Sequence, residues 1–463
     1  MATPVRERQQ LEFLMRHLAI LMPVLMAGLS VATAQPLSVA VEEGLASNPA
    51  LAADTARLEA AREAIVQARA QGLPNVEIMG SSTYSEGSFD PGDEAEAAIA
   101  SVFSSPMGDG GMDEMGPDLA DSFGPGDGRV SNQAQIAVTQ PIFTGFQILN
   151  GIREAQASVE AASARLDCVR QGYAYQIADA YLRVVSAEAE IRAVEKSVQS
   201  LMQAHRATEV SFEAGQSTRT DVALAQSRLA AVRAQLAGAQ ADAIAARQAF
   251  AVVGGDGIQN FVLPETGAAV PASVDEAMSI AVREHPELAA AALDRDAAQA
   301  AVKGARGSRA PKVQLRGAYS YAEGQFFEGD RSSNASIAAE VQVPLFEGGA
   351  ISSRIRQARA EDRAARFAET DTLRRVTADI QTAMAGYQAS LRAAEAASAR
   401  LEAAELAWRG VQLEREVGQR SVLDVLRVEE DLLAAQVGDV NAKAQVIRAS
   451  WQVAFATGTL AAE

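Results

Sequence analysis

Between residues 76 and 84 the chain alternates strictly. Val76, Ile78, Gly80, Ser82 and Tyr84 form one series, with Glu77, Met79 and Ser81 between them. A period of two marks a strand with two unlike faces. The same pattern returns three times. Ala134, Ile136 and Val138 alternate with Gln133, Gln135 and Thr139 as far as Pro141, a proline expected to close that strand. Val313, Leu315, Gly317, Tyr319 and Tyr321 follow Pro311, and Ala335, Ile337, Ala339, Val341 and Val343 lead up to Pro344. Four strands are predicted, over about 76–89, 131–142, 312–324 and 334–345. Their length of roughly ten residues suits a tilted membrane-crossing strand. A soluble packing of two sheets fits the alternation equally well.

Elsewhere the period is helical. A short helix near residues 39–46 is followed by a longer one that begins at Pro49 and stops before Gly72 and Pro74, since proline is tolerated in a helix's first turn. From Ile148 to Phe212 there is no proline, and apolar residues recur every seven positions. Ile152, Val159, Leu166, Tyr173, Ala180, Ala187, Val194 and Leu201 hold one heptad position, and Ile177, Val184, Ile191, Val198, His205 and Phe212 the other. A sustained seven-residue repeat predicts a supercoiled seam on a helix on the order of 100 Å long, at about 1.5 Å per residue. Ile355, Val376, Ile380, Tyr387, Leu401 and Trp408 carry a looser version in the second half of the chain. Each long helix ends at a glycine, Gly215 or Gly418, and another helix runs back, so helical hairpins are predicted over about 146–253 and 349–457.

These elements are written twice. Asn48-Pro49-Ala50-Leu51, Pro74 and Tyr84 recur as His285-Pro286-Glu287-Leu288, Pro311 and Tyr321 at an offset of 237 residues. Pro141-Ile142-Phe143 with Gly145, and later Gly215-Gln216, recur as Pro344-Leu345-Phe346 with Gly348, and Gly418-Gln419, at an offset of 203. The first copy therefore carries 34 extra residues, in the loop between its strands. Expected boundaries are 35–255 for the first copy, 256–272 for a linker and 273–463 for the second.

Residues 1–34 read as an export signal. Arg6, Arg8 and Arg16 precede an apolar run over 18–31, and Ala32-Thr33-Ala34 offers a small-residue cleavage site. Met15 is an alternative start. No later run is long and apolar enough for a spanning helix, which leaves a soluble, surface-bound or β-barrel protein. Cys168 stands alone, so no intramolecular disulfide is available. The signal carries three Arg and two Glu, and its removal takes the formal net charge from −18 to −19, which argues against nucleic acid as a partner.

Four strands cannot close a membrane barrel by themselves, so strands that enter lipid demand an oligomer. Two chains would supply eight strands and a filled interior, and three would supply twelve and a lumen. The ordered, doubled motifs resemble the outer-membrane efflux protein family, the TolC-like channels. The resemblance rests on Asn48-Pro49 with Leu51, His285-Pro286 with Leu288, the Pro141 and Pro344 motifs, and the tips Gly215 to Asp221 and Gly418 to Asp424. It covers nearly the whole mature chain. It implies a mainly α protein with a membrane portion, a homotrimer whose twelve-stranded β-barrel continues into a periplasmic α-helical barrel. It also implies an outer-membrane location extending into the periplasm, and docking of the tips on a periplasmic adaptor and an inner-membrane pump, in efflux or type I secretion.

Each tip carries an acid three residues after a hydroxyl: Thr218 before Asp221, and Ser421 before Asp424. The structural expectation is a capped helix with the carboxylate on the positive end of its dipole. The resemblance implies more. An aspartate at the position of Asp424 would form a ring about the threefold axis, and three converging carboxylates raise one another's pKa. The family often has a second acid three residues on, where this chain has Arg427. The resemblance implies that Arg420 matches an arginine that, in the family's type member, helps hold the entrance shut through residues matching Thr220 and Asp221, so an Arg420 to Asp221 latch is expected.

The loop over 90–128 has ten acids, no base, and Met107, Met112 and Met115 among glycines. Such a composition resists packing, and capture of a metal by its methionines and carboxylates is the sharper alternative. Phosphate-loop, zinc-protease and nucleophile-elbow motifs are absent from the sequence, so neither an enzyme nor a cofactor or metal centre is expected. The rival reading is a periplasmic coiled-coil adaptor or scaffold, which has long hairpins but no need of four strands.

Overall fold

A computed structural model of the chain describes residues 37–85, 129–324 and 330–460. The signal and the acidic loop lie outside the described residues. Within them the order is α1 Leu37–Ser47, α2 Pro49–Ala70, β1 Asn75–Ser85, β2 Arg129–Phe143, α3 Gln147–Glu213, α4 Arg219–Gly254, α5 Val274–Glu284, α6 Pro286–Gly307, β3 Lys312–Glu323, β4 Arg331–Gln342, α7 Ala350–Glu416 and α8 Val422–Thr457. The duplication is visible in the helix lengths: 11, 22, 67 and 36 residues in the first copy, and the same four values in the second. Within each copy the first two helices meet at an equivalent cap. Asn48 Oδ1 accepts the amides of Ala50 and Leu51 before α2, and His285 Nδ1 accepts that of Glu287 before α6.

The described residues form two compact units, one over 37–59, 160–292 and 367–460, the other over the remainder. The first unit is helical. Ile177, Tyr181, Leu182 and Val184 of α3 pack with Leu37, Val41 and Leu45 of α1, Phe250 of α4, and Ile447 and Ala454 of α8. The segment over 256–272 has no helix or strand, yet Ile258 and Phe261 are buried in this cluster. Tyr181, Phe250 and Phe261 meet ring to ring at 5.1–6.2 Å. The Tyr181 hydroxyl accepts from Val262 N–H at 2.9 Å and donates to its carbonyl at 3.0 Å. A second cluster joins Ala277 and Ala281 of α5 to Val376, Ile380 and Met384 of α7 and Val453 of α8.

The heptad positions form the buried seam over much of α3. Val159, Ala180, Val194, Leu201, Ile177 and Val184 are buried, whereas Phe212 is exposed. Thr208 continues the seam in place of an apolar residue. It is fully buried because its hydroxyl donates to Ala204 O of its own helix at 2.8 Å, which satisfies the polar group.

The second unit holds a four-stranded antiparallel sheet in the order β1-β2-β3-β4, so that β2 and β3 join the two copies. Val76, Ile78 and Tyr84 register with Val138, Ile136 and Val130, and these rows continue through Gly317 and Tyr319 to Ile337 and Ala335. All four apolar series therefore fall on one face, and that face is exposed in the single chain. Ser, Thr, Gln and Ala dominate the other. The outer strands β1 and β4 each have one unpaired edge.

The expected first strand reached residue 89, and its last part, over 86–89, lies outside the described residues; β2 and β4 start two and three residues earlier than expected, and their far ends also differ from the sequence expectation. Pro141 does not close β2: the strand runs on to Phe143, with a register shift between Pro141 and Phe143 where the missing N–H breaks the ladder. β4 ends at Gln342, before Pro344, because its partner β3 begins at Lys312, directly after Pro311, and offers no further backbone to pair.

Candidate functional site

The two hairpin tips are built alike. At the end of α3, Gly215 N–H bonds to Phe212 O at 2.9 Å and Gln216 N–H to Ser211 O at 2.8 Å. At the end of α7, Gly418 and Gln419 do the same to Arg415 and Glu414, at the same distances. This doubled closure needs a left-handed residue, and both glycines sit at φ +76°. A full capping box then starts each returning helix. Thr218 Oγ1 accepts from Asp221 N–H at 3.2 Å while Asp221 Oδ2 accepts from Thr218 N–H at 2.9 Å and its hydroxyl at 2.7 Å. Ser421 and Asp424 repeat this at 3.2, 3.1 and 2.8 Å.

These bonds set the carboxylates' chemistry. Hydrogen bonds from Thr218 hold Asp221 below the usual carboxylate range, and those from Ser421 do the same for Asp424, helped by the positive charges of Arg420 and Arg427. Each tip thus presents a fixed negative charge. One difference between the tips changes their bonding. Ser217 of the first tip donates to Asp221 at 3.2 Å, whereas its counterpart Arg420 donates through Nε to Glu414 at 2.6 Å. Among the described residues Arg420 and Asp221 are not paired, and Thr220 and Arg427 are exposed at the surface. Pro49 and Pro286 are the first residues of α2 and α6, far along the chain from the tips.

Just behind the tips the hairpins are tied together. Val194 and Leu201 of α3, Leu229 and Val232 of α4, and Leu426 and Leu433 of α8 share one apolar cluster. Arg228 of α4 pairs with Glu430 of α8 at 2.7 Å. Beside this cluster lies a cavity of about 220 Å³ lined by side chains of α3, α7 and α8. Glu429 is buried there and accepts the indole N–H of Trp408 at 2.5 Å. The sequence reading passed over Glu429. Its signal was present: an acid standing in the helical stripe of Val422, Val425, Leu426, Leu432 and Leu433.

Comparison with known proteins gives a consistent result. A family model described as "Outer membrane efflux protein" matches residues 40–255 and 277–459. The chain is similar to the outer membrane efflux protein BepC of Brucella suis biovar 1, with 31% identity over 341 residues, 73% of this chain and 74% of that one. It is 24% identical to the outer membrane protein TolC of Vibrio cholerae, over 66% of this chain and 72% of the relative. Among solved structures, a crystal structure of CusC superimposes with a TM-score of 0.74 at 16% identity, covering 91% of this chain and 92% of that one. At that identity the likeness speaks for the fold alone.

Proposed function

Because the chain belongs to the outer membrane efflux protein family, we propose that three copies close one conduit, gated at the helical tips, that passes substrates from the periplasm to the cell exterior in a tripartite efflux or type I secretion system. The family's members are channels rather than enzymes, and the protein resides in the outer membrane and extends into the periplasm. Membership also decides against the adaptor reading.

The observation that carries the proposal is the open sheet. One face is apolar and exposed, as a lipid-facing surface requires, and the opposite face is small and polar, as a wet lumen requires. Backbone groups left unpaired at the β1 and β4 edges would each cost several kcal/mol in lipid, so β4 of one copy pairs with β1 of the next. Three copies give twelve strands, enough for a lumen. The duplicated hairpins then give six tips, with the two copies spanning 35–255 and 273–463 after a signal over 1–34 is removed. Energy comes from an inner-membrane pump, reached through a periplasmic adaptor at the tips.

At the entrance, the three Asp424 carboxylates form a ring with Arg427 beside each, which weakens cation attraction relative to a double acidic ring. Arg420 of one copy latches to Asp221 of a neighbour when the entrance is shut, in competition with its bond to Glu414. Cell fractionation tests the conduit: a heat-modifiable trimer in the outer membrane supports it, and release with the soluble periplasm rejects it. The latch is tested in a planar bilayer, where Arg420→Ala raises single-channel conductance. Unchanged conductance rejects it.

A further inference from the structure

Glu429 is a buried acid that the capping and packing of the tips do not require. It lies in α8 five residues after Asp424, about 7.5 Å along the helix axis. Trp408 of α7 donates its indole N–H to Oε2 at 2.5 Å, and Ser200 of α3 bonds to the same carboxylate. One side chain therefore links both helices of the second hairpin to the long helix of the first. The neighbouring cavity, lined also by Ser197, Gln436 and Leu432, is polar and large enough to hold water beside the carboxyl.

The charged groups that face Glu429 are Lys196 from α3, and Glu405 and Arg409 from α7. On α8 itself, Glu430 is turned to Arg228 of α4, and Asp424 to its own cap. Two cations and two carboxylates around the cavity balance, so it is no trap for a cation. Burying a carboxylate is costly, and a neutral amide would keep the same hydrogen bonds. In the first copy a neutral amide stands in place of the acid: at the offset of 203, His205 and Gln226 occupy the positions of Trp408 and Glu429. The acid is a feature of the second hairpin alone.

We propose that Glu429 is the positioning residue of the gate: when protonated it seats the second hairpin against the first and holds the entrance shut, and when ionised it favours an open arrangement in which water reaches it. This rests on the tips being the gate. Burial pushes the Glu429 carboxyl above the usual range, against the smaller opposing effects of Trp408, Ser200 and Lys196. The seated state therefore holds its proton at higher pH than a hydrated one. The seating it favours is fully present below the ordinary glutamate value near 4.5 and is lost as pH rises through the raised value. Each tenfold difference in the proton affinity of Glu429 between the two states biases seating by up to tenfold in each chain.

The test uses the full-length trimer, in two measurements. In a planar bilayer, wild-type open probability falls as pH is lowered from 7.5 towards 4.5, while Glu429→Gln, which keeps both hydrogen bonds, stays low and flat across that window. A wild-type profile in Glu429→Gln overturns the proposal. In a Trp451→Phe background, which leaves Trp408 as the one tryptophan, indole emission titrates over the same window and ceases to do so once Glu429→Gln is added. An emission that does not titrate also overturns it. If neither chain conducts at any pH while the emission titrates normally, the conduit reading falls and the gating role with it.

Discussion

Arginine placed on the two faces of one strand should have opposite consequences. Ile337 is the seventh of the twelve residues of β4, registers with Gly317, and is 83% exposed in the single chain, on the apolar face with Ala335 and Ala339. If that face meets lipid, Ile337 lies near the bilayer midplane, where an arginine costs about 2–4 kcal/mol. Three symmetry-related sites, far enough apart to add, bring the cost to about 6–12 kcal/mol per trimer, comparable with the whole stability of many domains. Ser336→Arg, one residue away, points to the polar face and should change stability by no more than about 0.5 kcal/mol. The assay is the fraction of unheated trimer on a denaturing gel of outer-membrane fractions, with urea midpoints for the purified proteins. Ile337→Arg should abolish the trimer band and Ser336→Arg should retain it. Equal loss in both, or loss only in Ser336→Arg, would show that the exposed apolar face does not meet lipid.

Other substitutions probe the helical unit. Leu433→Ala, in the cluster joining the hairpins behind the tips, should cost about 2–5 kcal/mol, read as a lowered urea midpoint. Gly458→Ala should destabilise by more than the ~1–2 kcal/mol of a left-handed alanine, because Gly458 sits at φ +75° and a Cβ there would lie 2.5 Å from His285 Cα. The tip caps should loosen only in strong acid. Asp221 and Asp424 have lowered pKa values, so their contribution is complete above the ordinary aspartate value of 3.8 and is lost as pH falls below it. Hydrogen exchange at the first turns of α4 and α8 should be constant from pH 7 to 5, once corrected for intrinsic rate, and rise below 3.8.

The periods along the chain showed where the helices, strands and tips lie because each depends on local chemistry. Proline at the first helical residue, glycine at a left-handed closure, and a hydroxyl three residues before an acid act on their own neighbours, and Pro49, Gly418 and the Ser421 to Asp424 box needed no distant partner. Strand ends were less legible, since the end of β4 is fixed by where β3 begins. Counting only apolar residues hid two buried polar positions. Thr208 satisfies its hydroxyl within its own helix, and Glu429 depends on Trp408 and on Ser200, a residue more than two hundred positions earlier. Trp408 stood in the heptad reading as an apolar seam residue, but its indole N–H gives it a polar task. The partner of Arg420 was equally hidden, because Glu414 reaches it across the turn.

Closure of the sheet by three copies can be read from a single covalent bond. In a Cys168→Ser background, Thr83→Cys on the free edge of β1 is combined in turn with Asn334→Cys, Ser336→Cys or Ala338→Cys on the free edge of β4, all on the polar face, and oxidised in intact outer membranes. A barrel of twelve strands requires that one of these registers yield a crosslinked product that stops at three chains. A product that stops at two chains, a ladder that continues past three, or outer-membrane protein that crosslinks in no register would contradict it.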